Sequence, residues 1–184
     1  MANIGMPNLD IVFKGLGVSA VARGSKGVAV LIIKDDTNKT FTFAEYRSLA
    51  DLTSTELAKY SATNQQYIKD CLEGTPLKII VARMDIAGNF TDLLAVIRGK
   101  APRNCWIGLA EGVAEDQEAL SSWVKSENTT NKKRYKALVY KVTGADSRHV
   151  VNLKNDNVTF TDVRGEVTGE KAVAYLLGVL AGLS

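Results

Sequence analysis

The chain has little of what metal binding and nucleophilic chemistry usually draw on. It holds one histidine, His149, and two cysteines, Cys71 and Cys105. Two thiols this far apart in sequence have no second pair with which to build a metal site, and they make a poor disulfide framework, so a reduced, cytosolic protein is expected. The most apolar stretch, Leu176 to Leu183, falls well short of the roughly 20 residues that a membrane-spanning helix needs. The opening residues, Met1 to Pro7, lack a basic segment followed by an apolar run, which argues against a signal peptide. Charge of one sign is also missing: the formal net charge is +3, spread along most of the chain, so no strong nucleic-acid field is implied. No internal repeat or low-complexity segment is present. The expectation is a soluble protein made in the cytoplasm, without a nucleic-acid partner or stable membrane insertion.

What is present is material for a core. Of 184 residues, 46% are apolar, enough for one compact domain. Val28 to Ile33 is continuously apolar and β-branched, the pattern of a strand buried on both faces. Lys78 to Ala82, Cys105 to Leu109 and Tyr135 to Val142 read as further buried strands, and Thr40 to Tyr46 alternates as a more exposed one. Between them, helical spacing predicts helices over Asn64 to Glu73 behind Ser61, Phe90 to Ile97, and Ala114 to Lys125. Val150 to Leu153 and Val158 to Phe160 are short strand candidates with a turn at Asn155 to Asn157, and Thr168 to Leu183 is a closing apolar helix. This alternation argues for an α/β fold, a mostly parallel or mixed sheet with helices on both faces. Asn8 to Lys14 stands apart: Leu9, Ile11 and Phe13 alternate with Asp10, Val12 and Lys14, behind Pro7 and ahead of a glycine-containing stretch. It reads as an extended N-terminal arm.

Several signals resemble enzyme motifs and fail on inspection. Gly15, Gly17 and the later Asp35 mimic a dinucleotide fingerprint, the basis of an alternative reading as a small nucleotide-binding enzyme. About ten residues, including Gly24 and Gly27, separate this motif from Val28, too few for the crossover helix of a parallel βαβ unit. Glycines that let an arm bend explain them better. Gly24-Ser-Lys-Gly27 lacks the order of a phosphate loop. His149 follows Asp146 and Ser147 too closely for sequence alone to define a triad, which is a spatial arrangement. Asp35-Asp36 reads as a strand end, and Glu115-Asp116 as a helix first turn favoured by the macrodipole. Lys132-Lys133-Arg134 with Lys136, after the solvated loop composition Asn128 to Asn131, is the one basic cluster that suggests phosphate binding. No catalytic, cofactor-binding or metal-binding residue is assigned, and no enzyme is expected.

Four segments together resemble the tail sheath family of contractile bacteriophages, in the branch of Gram-positive phages, defective prophages and phage-tail-like bacteriocins. They are Gly5 to Lys14, Val21 to Asp35, Ala145 to Asn152 and Ala172 to Gly182. The resemblance implies a structural subunit that stacks as hexameric rings around a tail tube and contracts to drive the tube through the cell envelope. Implied partners are other sheath subunits, the tube protein, the baseplate and the tail terminator, within a virion tail or bacteriocin particle assembled in host cytoplasm. It also implies that terminal arms add strands to neighbouring subunits. Asn8, Leu9, Asp10, Ile11, Val12, Phe13 and Lys14 are then the inter-subunit arm, with Gly15, Gly17, Gly24 and Gly27 as its hinge. The expected division is an arm over 1–20 and an α/β sheath domain over 21–184. Sheath subunits are considerably longer, so the C-terminal assembly half of the family is expected to lie outside this chain, leaving the closing helix with apolar surface exposed.

Overall fold

A computed structural model describes residues 26–144 and 147–183. The arm expected over Asn8 to Lys14 and three of its hinge glycines, Gly15, Gly17 and Gly24, lie outside the described residues.

Three apolar strands form the centre of the sheet. β1 (Val28–Lys34) pairs in parallel with β3 (Lys78–Met84) on one side and with β4 (Asn104–Leu109) on the other. β5 (Arg134–Tyr140) and β6 (Val150–Leu153) extend the parallel run, while β2 (Phe43–Tyr46) lies antiparallel on the outer side of β3. The order is β2-β3-β1-β4-β5-β6, six strands with one reversed at the edge. The mixed α/β sheet expected from the hydrophobic pattern is therefore present.

Because successive side chains of a strand point to opposite faces, β1 serves two cores at once. Val28, Val30 and Ile32 pack with Ile107, Ala137 and Val139 beneath α3 (Phe90–Lys100) and α4 (Ala114–Thr130). Ala29, Leu31 and Ile33 pack on the other face with Ile79, Val81 and Leu138 beneath α2 (Ala62–Glu73) and α5 (Gly169–Gly182). A one-turn helix, α1 (Ser54–Leu57), precedes α2.

The helix ends follow local capping chemistry. The Ser61 hydroxyl accepts from the Asn64 N–H, Asn89 accepts from the Thr91 N–H, and Thr53 accepts from the Glu56 N–H. The predicted loop at Asn128 to Asn131 is instead the last turn of α4, which runs to Thr130. Asn128 explains the difference. Its side chain donates to the Tyr135 carbonyl (2.7 Å) and accepts from the Tyr135 N–H (2.8 Å), standing in for a strand at the start of β5. Asn152 does the same at the other end of the strand, meeting both backbone groups of Val142 at 3.1 and 2.7 Å.

The closing helix also differs from expectation. α5 does not leave its apolar surface exposed: Ala172, Val173, Ala174, Leu177 and Ala181 are buried against the sheet and α2. The approach is close because Gly178 and Gly182 lie against the backbone of Cys71, Gly74 and Thr75. Leu183, just past the helix, remains exposed.

The turn expected at Asn155 to Asn157 ends one residue early, since Asn157 already opens a strand. It carries the chain from the main sheet to a separate ribbon, β7 (Asn157–Thr159) paired antiparallel with β8 (Glu166–Thr168). The ribbon is fastened by Arg164. Its guanidinium bonds Asp162, reaches Asp70 (2.9 Å) and Glu73 (3.1 Å) on α2, and lies 4.0 Å from the centre of the Phe160 ring. Burial pushes the Asp70 carboxyl up even beside this cation. Arg164→Ala is expected to cost roughly 3 kcal/mol, since it strands a buried carboxylate. Chemical denaturation would measure that loss, and increased amide exchange confined to 157–168 would show that the ribbon has come away. Arg164→Lys should recover only part of it, because a lysine cannot fork across two carboxylates.

Candidate assembly surfaces

In a parallel sheet of this order, ligands of α/β enzymes settle at the carboxyl ends of the strands where the chain direction of winding reverses, here between β1 and β4. The residues at that point are Lys34, Asp35, Glu111 and Asp116. Lys34 Nζ and Asp116 meet at 2.6 Å across the gap. Asp35 is buried and accepts from three groups: the Ser61 N–H (2.8 Å), Asn64 Nδ2 (2.7 Å) and the Thr37 N–H (2.8 Å). Burial alone would raise its pKa, yet these hydrogen bonds outweigh it and bring the carboxyl down to about 2. Glu111, with its backbone in the left-handed region (φ 53°), accepts from the Tyr67 hydroxyl at 2.8 Å. Three carboxylates at the position a pyrophosphate would need oppose that ligand electrostatically. Asp35, expected to be a plain strand end, is instead the buried anchor between β1 and α2.

The catalytic reading of His149 gains no support from its surroundings. Its backbone N–H donates to the Ser147 hydroxyl at 3.3 Å, which points that hydroxyl at the main chain, and Nε2 accepts from Arg148 Nε at 3.2 Å. Asp146 lies outside the described residues. Both cysteines are buried thiols, and burial pushes each well above the usual range, Cys105 to about 12. They are poor nucleophiles. Among the described residues, no group of three or more His, Cys, Asp or Glu side chains could hold a metal ion, and no helix is long and apolar enough to cross a membrane.

The surfaces that remain suit association. Among the described residues, no strand covers the outer side of β2 or of β6, so both present unpaired backbone groups. Val151, on β6, is exposed, as is Val163 at the tip of the ribbon. At the amino ends of β4, β5 and β6, a concavity of about 470 Å³ is lined by Lys133, Arg134, Lys136, Arg148 and His149, with Asn104 and Asn128. It contains most of the basic cluster singled out from sequence. Of the proposed hinge glycines, Gly27 lies among the described residues: its N–H donates to the Ala181 carbonyl (2.7 Å) and its carbonyl accepts from the Leu77 N–H (2.9 Å).

No family model matches the chain. A curated relative does: the tail sheath protein of Clostridium phage phiCD119 is 23% identical over 185 residues, an alignment that takes in 96% of this chain. The chain spans about half the length of that relative, 48%. Among solved structures, the sheath tail protein of Listeria innocua superposes with a TM-score of 0.69 at 12% identity, over 91% of this chain and 60% of that one. This is a tail sheath fold. The sheath tail protein of Desulfitobacterium hafniense shares the sheath fold with a TM-score of 0.68 at 11% identity, over 99% of this chain and 62% of its own. A third sheath-fold chain, from the helical sheath of the anti-feeding prophage in its contracted state, gives 0.60 at 12% identity, over 98% and 52%. The resemblance carried by the four sequence segments is thus borne out, and the sheath fold places one of them, Val21 to Asp35, partly in β1 and another, Ala172 to Gly182, in α5.

Proposed function

We propose that this chain is the N-terminal part of a structural sheath subunit, which stacks with its copies as hexameric rings around a tail tube and contracts. The supporting observation is an alignment with a phage tail sheath protein over 96% of the chain, on a fold shared with a contracted sheath. The tail tube protein, the baseplate and the tail terminator are its proposed partners, in a virion tail or bacteriocin particle assembled in the host cytoplasm. The role is structural and not enzymatic. Residues 1–20 serve as the arm and 21–184 as the body. Asn8 to Lys14 adds a strand to a neighbour's sheet: such an addition supplies main-chain hydrogen bonds, while Leu9, Ile11 and Phe13 supply one apolar side. The uncovered edges at β2 and β6 are the places where a strand can be added. Gly15, Gly17 and Gly24 let the arm change direction, and Gly27 is where it joins the body.

Electron microscopy of the complete subunit tests the reading. Rings or tubes are expected, and a protein that stays monomeric under all conditions would overturn it. Deleting Met1 to Lys14 is expected to leave the melting temperature of the body within a few degrees of the full chain, because the described residues by themselves supply two packed cores, one on each face of the sheet. The same deletion should abolish rings and tubes. Unfolding on deletion, seen by circular dichroism, would place the strand inside the fold and sink the arm assignment.

A further inference from the structure

One end of the sheet gathers cations without carboxylate partners, and the other holds acids in the same state among the described residues. Lys133, Arg134, Lys136 and Arg148 gather at the amino ends of β4 to β6, around the 470 Å³ concavity, and none of the four forms an ion pair with a carboxylate among the described residues. Lys136 Nζ sits 5.1 Å from the centre of the Trp106 ring and Lys133 Nζ 5.4 Å from that of Tyr135, so two of the ammonium groups rest on aromatic faces at the rim. The asparagine amides of Asn104 and Asn128 complete a lining without any acid. A concavity of this chemistry takes carboxylates or other oxyanions.

The opposite end supplies such groups. Glu111 follows β4, and Glu115 and Glu118 lie exposed on the first turns of α4, without an ion-pair partner among the described residues. Burial pushes the Glu170 carboxyl, at the start of α5, above its ordinary value, and the charge of Glu111 adds to this while Lys171 opposes it. The two ends are held apart by α4 itself. It begins at the acidic rim and brings Asn128 to the basic concavity, about 20 Å away at 1.5 Å per residue. One copy therefore cannot satisfy its own two ends.

We propose that the amino-end concavity of one copy receives the carboxylates of the Glu111–Glu118 rim of a second copy, joining copies head to tail. The inference rests on the sheath reading for its biological setting, but the contact itself follows from the charge arrangement. Joining unlike surfaces in this way leaves one free end of each kind, so the contact propagates into an open array and does not stop at a dimer. Each exposed ion pair contributes little singly. A cluster of four cations against several acids steers encounter and fixes orientation, and salt weakens it.

A charge-swap experiment on the full chain tests this contact. In one variant Arg134 and Arg148 become glutamate, and in another Glu115 and Glu118 become lysine; all four side chains are exposed. Circular dichroism should show both folded. By analytical ultracentrifugation at low ionic strength, each variant alone should self-associate at least tenfold more weakly than wild type, and the equimolar mixture should recover association, because acidic ends now face basic ones. High salt should dissolve the mixed complex. A control of equal charge, with Lys69 and Lys154 changed to glutamate, should neither lose self-association nor gain affinity for the Glu115→Lys, Glu118→Lys variant. Unchanged self-association of the concavity variant, no recovery in the mixture, or equal behaviour of the control each overturns the proposal. If the complete subunit fails to build tubes yet the swapped pair associates selectively, the sheath reading falls and this contact stands. Tubes from wild type and from both variants alike give the reverse.

Discussion

Gly178→Val is expected to be the most damaging single substitution in the body, lowering stability by on the order of 3 kcal/mol. A Cβ at this position would overlap the carbonyl group of Cys71 on α2, and the obstruction is main chain, which cannot swing aside as a side-chain end can. The contact is reciprocal: a Cβ at Gly74 would run into the backbone of Gly178 and Val179, and one at Gly182 into the carbonyl of Gly74. α2 and α5 thus lie backbone to backbone, and Leu177 beside them fills the space over Gly108, approaching to 3.1 Å of where a Cβ would stand. Separating the helices to admit a valine would withdraw Leu177 and Ala181 from the sheet, opening a void as well as straining the crossing. Thermal melting would register a fall of roughly 6–12 °C for a domain of this size. Gly99→Ala is the contrast. That glycine is also helical, but nothing stands within 4 Å of its missing Cβ, so alanine there should be neutral or stabilise by up to about 1 kcal/mol. A neutral or stabilising outcome at Gly178, like that expected at Gly99, would show that helix propensity, and not the close crossing, governs α5.

Asp35→Asn should be nearly as costly, at about 2–3 kcal/mol, although it keeps the shape of the side chain. The carboxylate takes hydrogen bonds from Ser61, Thr37 and Asn64, and an amide NH2 in the same place would set donor against donor. The loss carries a pH signature. The folded-state pKa of Asp35 lies at about 2, below the ordinary 3.8, so its contribution is fully present above pH 4 and disappears as pH falls toward about 2. The stability difference between wild type and Asp35→Asn should therefore shrink by about 2 kcal/mol across that interval. Urea denaturation at neutral pH, about pH 4 and about pH 2 measures it. A difference that stays constant on acidification would mean that the carboxylate is not the charged anchor described here.

How much of this the sequence reveals depends on the reach of the interactions involved. The central strands are legible because β1, β3 and β4 lack a polar face, and burial from both sides leaves that mark in consecutive residues. The helices over Asn64 to Glu73, Phe90 to Ile97 and Ala114 to Lys125 are legible from spacing and caps. Asp35 is not, since a solvated acid and a buried anchor look alike until Ser61 and Asn64, far along the chain, fold over it. The ribbon escapes because three residues such as Glu166 to Thr168 are too short to show a period, and its fastening depends on Arg164 meeting Asp70 across 94 residues. α4 outruns its predicted end for a similar reason. Asn128 and Asn131 favour loops locally, but the Tyr135 backbone and the buried Glu127, paired with Arg98 at 2.5 Å, hold the last turn in helix. In the apolar closing helix, composition shows what must be covered and conceals that two glycines let α2 cover it. The basic cluster is visible as residues; that Arg148 and His149 join it from the turn ahead of β6 is not.

The bond between Gly27 and Ala181 bears on how the molecule would carry a mechanical load. It draws the start of β1 and the end of α5 to one corner of the body, next to Leu77. Tension between the chain ahead of Gly27 and the chain at Leu183 would close its path through that corner, across one backbone hydrogen bond, without passing through the six strands. The body would ride beside the line of force as a rigid weight, and in the sheath proposed above a lattice pulled through such corners would change its pitch while each core kept its shape.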